Sequence, residues 1–272
     1  MKTASWLLSF GLVCLMSITS QACPLTARLA PAPIQGGAYR LTYVRCGMFR
    51  RPCVLVPKKI VLFDGTDLSS FCNAKGEDKL PGSWSIDDDL NLHFKPSNLG
   101  RGDIFTKQQF GNFTIHWEWR IAQKGNSGVK YHLNKFGNSW LGPEYQILDD
   151  FGHSNGKNPK TSAASLYEFF APAESKTLNP VGEFNHSMIV VRGKHAEHWL
   201  NGKKVVEYTV GSDEWNETIK TTKFRDVKGF AENAAGPFLF QDHGDEVWYR
   251  NIWIEDWDHC DLVPVRRCGL RR

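Results

Sequence analysis

The amino-acid sequence predicts an all-β protein, a sandwich or barrel of short antiparallel strands. Three observations carry that prediction. In "NFTIHWEWRI", Phe113, Ile115, Trp117, Trp119 and Ile121 alternate with polar residues, the period-two pattern of a strand with one face in a core. Asn201-Gly202 separates "EHWL" from "KKVVEY", and Asn-Gly is the strongest two-residue hairpin signal because both positions tolerate positive φ. From "KKIVLFDG" onward, short apolar runs are divided by turn residues. No βαβ alternation and no internal repeat interrupts them, so a parallel sheet or a repeat array is excluded.

Composition agrees. The chain has 272 residues, 41% of them apolar, with Trp 10, Phe 17 and Tyr 7 to fill a core and Gly 24 and Pro 13 to make turns. The net charge is +4, and Lys and Arg are dispersed except in the terminal "VRRCGLRR". Nothing marks a nucleic-acid footprint.

Residues 1–22 read as a signal peptide. Lys2 precedes the apolar run "WLLSFGLVCLM", and "SQA" supplies small residues before Cys23. The run is short for a membrane span. The protein is therefore expected to be exported, periplasmic or extracellular, with no transmembrane segment after the signal is removed. Lipid anchoring at Cys23 is the alternative, although Ser20 stands where a lipoprotein signal usually has an aliphatic residue. Residues 23–57 form a Pro-, Ala- and Gly-rich extension, 58–256 the globular domain, and 257–272 a basic tail containing cysteine. Cys46, Cys53, Cys260 and Cys268 lie in the flanks, where disulfides suit an oxidising compartment. Their spacings are wide for a zinc knuckle. Cys72 is expected to be buried or disulfide-bonded. One short helix is expected in "SDEWNETIKTTKF", capped by Ser212 or Asp213. The last strand is "EVWYRNIWIED".

Three strand-like segments present polar pairs. Lys130 and His132 share a face in "GNSGVKYHL", and Glu144 and Gln146 share one in "GPEYQILDD". Gln241 and His243 share a third if their strand continues. Outward faces of antiparallel sheets are polar by default, so one reading is plain solvent exposure. The other notes that Lys, His, Gln and Glu together can bind hydroxyls and move protons. Asp149, Asp150 and His153 fall in a Gly- and Asn-rich loop, where turn chemistry competes with a site for a divalent cation such as calcium. Glu144 with Asp149 invites a two-carboxylate glycosidase reading. Gln146 stands where the same-face partner carboxylate is expected, which leaves that pattern incomplete. His195 and His198 flank the hairpin and are expected at the surface.

The motifs "LFDGTDLSSF", "FGNFTIHWEWRI", "GNSGVKYH", "GPEYQILDD", "KTLNPVGEFNHSMIVVRGKHAEHWLNGKKVVEY" and "QDHGDEVWYRNIWI" occur in that order. Together they resemble the family of 3-keto-disaccharide hydrolases over residues 58–256. The resemblance implies a concanavalin A-like lectin/glucanase jelly roll of two antiparallel sheets, with a sugar site on the concave sheet. It implies action on glycosides oxidised to a ketone at C3, by C2 proton removal and loss of the C1 substituent, with or without water addition. On that basis Glu144 or His132 is the expected base. Lys130, His243 or a bound cation stabilises the oxyanion, and Gln146 and Gln241 hold hydroxyls. Arg250 and His153 are second choices for substrate contact. The rival readings are a lectin-like binding module and a conventional glycoside hydrolase that uses Asp149 or Asp150.

Overall fold

The computed structural model describes residues 43–45 and 52–264. The expected signal peptide, Cys23, Cys46, Cys268 and the basic end lie outside the described residues. Strand β1 (Tyr43–Arg45) pairs with β2 (Pro52–Phe63). Four short pieces follow, β3 (Phe71–Cys72), β4 (Trp84–Ile86), β5 (Leu92–Phe94) and β6 (Ile104–Thr106). The longer β7 (Phe113–Ile121) leads into β8 (Asn126–Lys130). The small hairpin of β9 (Asn134–Phe136) and β10 (Ser139–Leu141) and then β11 (Glu144–Leu148) come next. A meander of β12 (Asn185–Arg192), β13 (His195–Leu200) and β14 (Lys203–Thr209) precedes one helix, α1 (Asp213–Ile219). The chain closes with β15 (Leu239–Phe240) and the 18-residue β16 (Val247–Pro264).

These strands make two antiparallel sheets, as the alternation predicts. Nine strands make the larger, β1-β2-β16-β7-β12-β13-β14 with β5 attached to β16 and β4 to β5. Five run β11-β8-β15-β6-β3. The inward residues of β7, from Phe113 to Ile121, are all buried, and their sequence neighbours are not fully covered except Thr114. Asn201 and Gly202 both take positive φ, 47° and 80°, the type I′ geometry whose twist matches the flanking strands. The Ser212 hydroxyl accepts from the Trp215 N–H and caps α1. Trp215, buried, stacks on Phe169 at 4.6 Å, so this helix is a plug at one end of the core.

β2 begins at Pro52 and β16 runs to Pro264, and Cys260 to Pro264 pair with Pro57 back to Cys53. The residues flanking 58–256 thus add ladder pairs to the same sheet. One local expectation changes. His198 is fully buried. It shares inward parity with Ala196 and Leu200 on β13, and that parity outweighs its position near a hairpin. Cys72 is a buried free thiol, as one of its two readings had it.

The five-stranded sheet is tied to its partner through buried hydroxyls. The Ser127 and Tyr249 hydroxyls are 2.9 Å apart. Tyr145 reaches Ser187 Oγ at 2.7 Å and the Trp199 carbonyl at 3.1 Å. The Tyr131 hydroxyl meets His198 Nε2 at 2.8 Å and Tyr208 at 2.6 Å. His198 Nδ1 donates to the Ala164 carbonyl at 3.2 Å, which leaves Nε2 to accept from Tyr131 in a neutral ring.

Burial holds His198 down to about 4 from its ordinary 6.5. The unfolded chain therefore takes up a proton below pH 6.5 that the native state resists. Stability is complete above that pH and falls as the pH drops through 6.5 toward 4. The shift corresponds to about 3 kcal/mol for His198. Urea unfolding from pH 7 to pH 4 should show this loss, with a shallower pH slope in His198→Gln. Equal slopes in the two proteins would refute the assignment.

Candidate active site

Strands β8 and β11 place the candidate residues. In their register Glu144 stands opposite Lys130, and Gln146 opposite Gly128. Val129, Tyr145 and Ile147 enter the core, so Asn126, Lys130, Glu144 and Gln146 point to the outer face of the five-stranded sheet. The Gln241 N–H donates to the Gly128 carbonyl at 3.0 Å, which extends the ladder just past β15. These five residues line one cleft with Tyr167, Lys223 and His243. His243 enters from an exposed loop position.

Gly128 keeps the cleft open. A Cβ there would sit 2.7 Å from Glu144 Oε1 and 3.2 Å from Gln241 Oε1, so a side chain would displace both. Lys130 Nζ is 3.5 Å from Glu144 Oε2, with side-chain exposures of only 16% and 11%. Gln146 Nε2 donates to the Thr161 carbonyl at 3.3 Å, whereas Gln146 Oε1 and Asn126 Oδ1 are buried with no partner. An unsatisfied buried acceptor costs about 1–3 kcal/mol. Two on one cleft wall call for a ligand rich in hydroxyl donors. Burial raises the Tyr167 phenol above its ordinary value, and Glu168 and Glu144 add to the shift. Lys223 Nζ lies 4.4 Å above the Tyr167 ring. The same sheet face continues into an apolar patch of Cys72, Phe105 and Leu239, on which Leu133 and Trp140 pack. The β9–β10 hairpin thus covers the apolar half and leaves the polar half open.

Five expected site residues are not in this cleft. β8 ends at Lys130, and His132 turns the chain at φ 46°. Its buried ring donates from Nε2 to the Gly111 carbonyl at 2.9 Å, so the alternation that paired it with Lys130 stops short of it. Arg250 lies on β16 in the other sheet and binds Glu118 Oε2 through Nε and Nη2 at 2.8 and 2.7 Å. His153 caps a 3-10 turn, with Nδ1 accepting from the Asn155 N–H. Asp149 accepts backbone N–H groups from Lys124, Phe151 and Gly152. Asp150 accepts from Ala163 N–H and from Lys176 Nζ at 2.6 Å. Donors of the chain itself aim at these carboxylate oxygens, some from the turn and some from across the fold. Among the cleft residues not foreseen, Asn126 had a signal, since it shares the parity of Lys130. Tyr167 comes from an irregular segment with no period to read, and Lys223 from a turn past α1, because the helix expected through Phe224 stops at Ile219.

The sequence of residues 58–255 matches the model of the 3-keto-alpha-glucoside-1,2-lyase-like domain. The chain belongs to that family. It is 32% identical over 230 residues to the 3-keto-disaccharide hydrolase of Bacteroides thetaiotaomicron, a match covering 73% of this chain and 78% of the relative. Two crystal structures of proteins from Parabacteroides distasonis ATCC 8503, each assigned as a glycosyl hydrolase, share the fold. One has a TM-score of 0.65 at 30% identity, covering 73% of this chain and 93% of the other. The second has a TM-score of 0.56 at 27% identity, with 72% and 98% covered. These relatives support a carbohydrate-active hydrolase. No helix among the described residues is long and apolar enough to cross a membrane.

Gly128→Ala should weaken carbohydrate binding or turnover on the order of tenfold or more, because small displacements of positioned groups are costly. The thermal melt should stay within a few degrees of the unaltered protein's. Calorimetric titration beside a melt checks this, and unchanged affinity would show that the close approach at Gly128 is not needed.

Proposed function

We propose that this family member cleaves glycosides whose sugar carries a ketone at C3, by removing the C2 proton and expelling the C1 substituent, with or without water addition. The observation that carries the reading is the covered Lys130–Glu144 pair beside two unpartnered acceptors, in a chain that matches the family over most of its length.

A ketone at C3 acidifies the C2–H bond, and base removal of that proton leaves negative charge on the C3 oxygen. Glu144 is the base. The Lys130 ammonium, 3.5 Å from it, donates to the developing oxyanion, a term that is large in a site shielded from water. Asn126 and Gln146 offer their free oxygens to sugar hydroxyls, and Gln241 and His243 close the other side. This route needs no nucleophilic carboxylate, so Gln146 beside Glu144 is no obstacle. A lectin-like module would bind unoxidised glycan and leave the keto-sugar intact. A conventional glycosidase would cleave the unoxidised glycoside and need a second essential carboxylate, and Asp149 and Asp150 are already engaged with backbone N–H donors and, for Asp150, with Lys176. The amino-terminal segment 1–22 supports an exported enzyme, periplasmic or extracellular, with Cys23 as the alternative lipid anchor.

Matched glucoside and 3-keto-glucoside incubated in deuterated water and followed by NMR should show turnover of the keto-sugar, with deuterium entering C2. Glu144→Gln should lower that rate on the order of a hundredfold to ten-thousandfold. Turnover of the plain glucoside alone, or full activity in Glu144→Gln, would overturn the reading.

A further inference from the structure

Expulsion of the C1 substituent needs a proton for its oxygen. Glu144 is occupied with the C2 hydrogen and Lys130 with the C3 oxygen, and glutamine side chains are not acids. His243 enters only from an exposed loop position, burial makes the Tyr167 phenol a weaker acid, and Lys223 lies over the Tyr167 ring. Asp103 lies just outside the lining of the cleft, one strand over from Gln241, which is part of it. It immediately precedes β6, whose Ile104 and Phe105 pair with Phe240 and Leu239 of β15. Extending that register by one residue sets Asp103 opposite Gln241. Phe105 lies on the outer face with Leu239 and Trp140, and the alternation from Phe105 returns Asp103 to that face.

The surroundings of Asp103 fix its position and withdraw it from solvent. The Asp242 N–H donates to Asp103 Oδ1 at 2.9 Å, while Oδ2 makes no hydrogen bond among the described residues. The loop is held in turn by the Asp242 carboxylate, which accepts from Arg101 Nε at 3.1 Å and from the Gly102 and Gly244 N–H groups at 2.8 and 3.0 Å. Burial pushes the Asp103 carboxyl above the usual range. The Asp242 N–H and Lys130 oppose that shift, and the charges of Asp242 and Glu144 add to it. A carboxyl whose proton is held more tightly by burial is a recognised form of general acid.

We propose that Asp103 is the proton donor to the departing C1 oxygen, an assignment that rests on the 3-keto-glycoside reading of the site. Glu144 takes the C2 proton, and the C–H electrons pass into the enolate on the C3 oxygen. As the C3 carbonyl re-forms, a C1=C2 double bond forms and the C1–O bond breaks. The proton on Asp103 Oδ2 goes to the leaving oxygen, which departs as an alcohol and leaves Asp103 as carboxylate and Glu144 as acid. In water addition Asp103 takes a proton from water as its oxygen bonds C1, and Glu144 returns its proton to C2. Both groups are then reset.

The test uses the full chain, Asp103→Asn, and two 3-keto-glucosides, one with an alkyl alcohol and one with 4-nitrophenol as leaving group. Asparagine keeps an oxygen for the Asp242 N–H. Alkyl cleavage should fall on the order of a hundredfold or more, and nitrophenol release by less than about tenfold, since a weakly basic leaving group needs little protonation. Deuterium exchange at C2 should persist. In the unaltered protein the alkyl rate should fall as pH rises through the Asp103 titration, with the nitrophenyl rate unaffected, a measurement that stands if the variant does not fold. Equal losses on both substrates, no loss on either, or identical pH profiles would overturn the assignment. Absence of C2 exchange in the unaltered protein, with cleavage of plain glucosides, would overturn the keto-sugar reading itself and the proposal with it.

Discussion

The site depends on how β8 and β11 are fastened from beneath. Their outward residues line the cleft, and the inward residues on them and just past β8 include Ser127, Tyr131 and Tyr145, whose hydroxyls reach the opposite sheet through Tyr249, His198, Tyr208 and Ser187. A purely apolar inner face would tolerate sliding, because hydrophobic contact is not directional. Buried hydroxyls are directional and costly to leave unpaired. A one-residue slip of either strand would strand these groups and turn Lys130 or Glu144 into the core. The hydroxyls therefore set the register that keeps the charged pair outside.

The same two-sidedness explains what the sequence made legible. Strand parity separates Glu144 and Gln146 from Tyr145 and Ile147, and Lys130 from Val129 and Tyr131, and the structure has those faces. Parity fails where a strand ends or bulges. His132 lies two residues past Lys130, but a positive φ there removes it from the pattern. Arg250 precedes Asn251, whose φ of 51° marks a register shift in β16, and no local pattern tells which sheet it joins. His153 and Asp149 satisfy N–H donors of the same turn, and such local bonds look in sequence like a binding loop, while Asp150 meets the Ala163 N–H and Lys176 Nζ from across the fold. Tyr167 and Lys223 reach the cleft, and Asp103 its surroundings, only through tertiary packing, so nothing in their own segments announces them.

The nine-stranded sheet has a different task. Its outer face is closed over by cation and aromatic contacts, with Arg120 over Trp248 at 4.4 Å, Arg250 over Phe184 at 3.9 Å and His116 stacked on Trp253 at 3.8 Å. These pairs use up the aromatic faces that a sugar platform would need. The polar set on the five-stranded sheet is arranged the opposite way, with acceptors left open.

Those open acceptors bear on how the cleft chooses its ligand. Gln146 is almost wholly buried, and one end of its amide is bonded to the Thr161 carbonyl, which fixes the other end. An apolar residue at that position would avoid the cost of an unpaired oxygen, so the amide is a local conflict of the kind that collects at functional sites. A hydroxyl-bearing ring removes the conflict by donating to Gln146 Oε1 and Asn126 Oδ1. The same ring must meet Lys130 with an acceptor, because an ammonium has only donors to offer. A hydroxyl can meet that demand while still carrying its own hydrogen. A ketone oxygen meets it with two lone pairs and no hydrogen, so it fits best where Lys130 stands, with the donor hydroxyls of the ring turned toward the two amides. On the proposed keto-sugar reading, this donor and acceptor layout would order the ring so that the acidified C–H bond beside the carbonyl lies next to Glu144, the group 3.5 Å from Lys130.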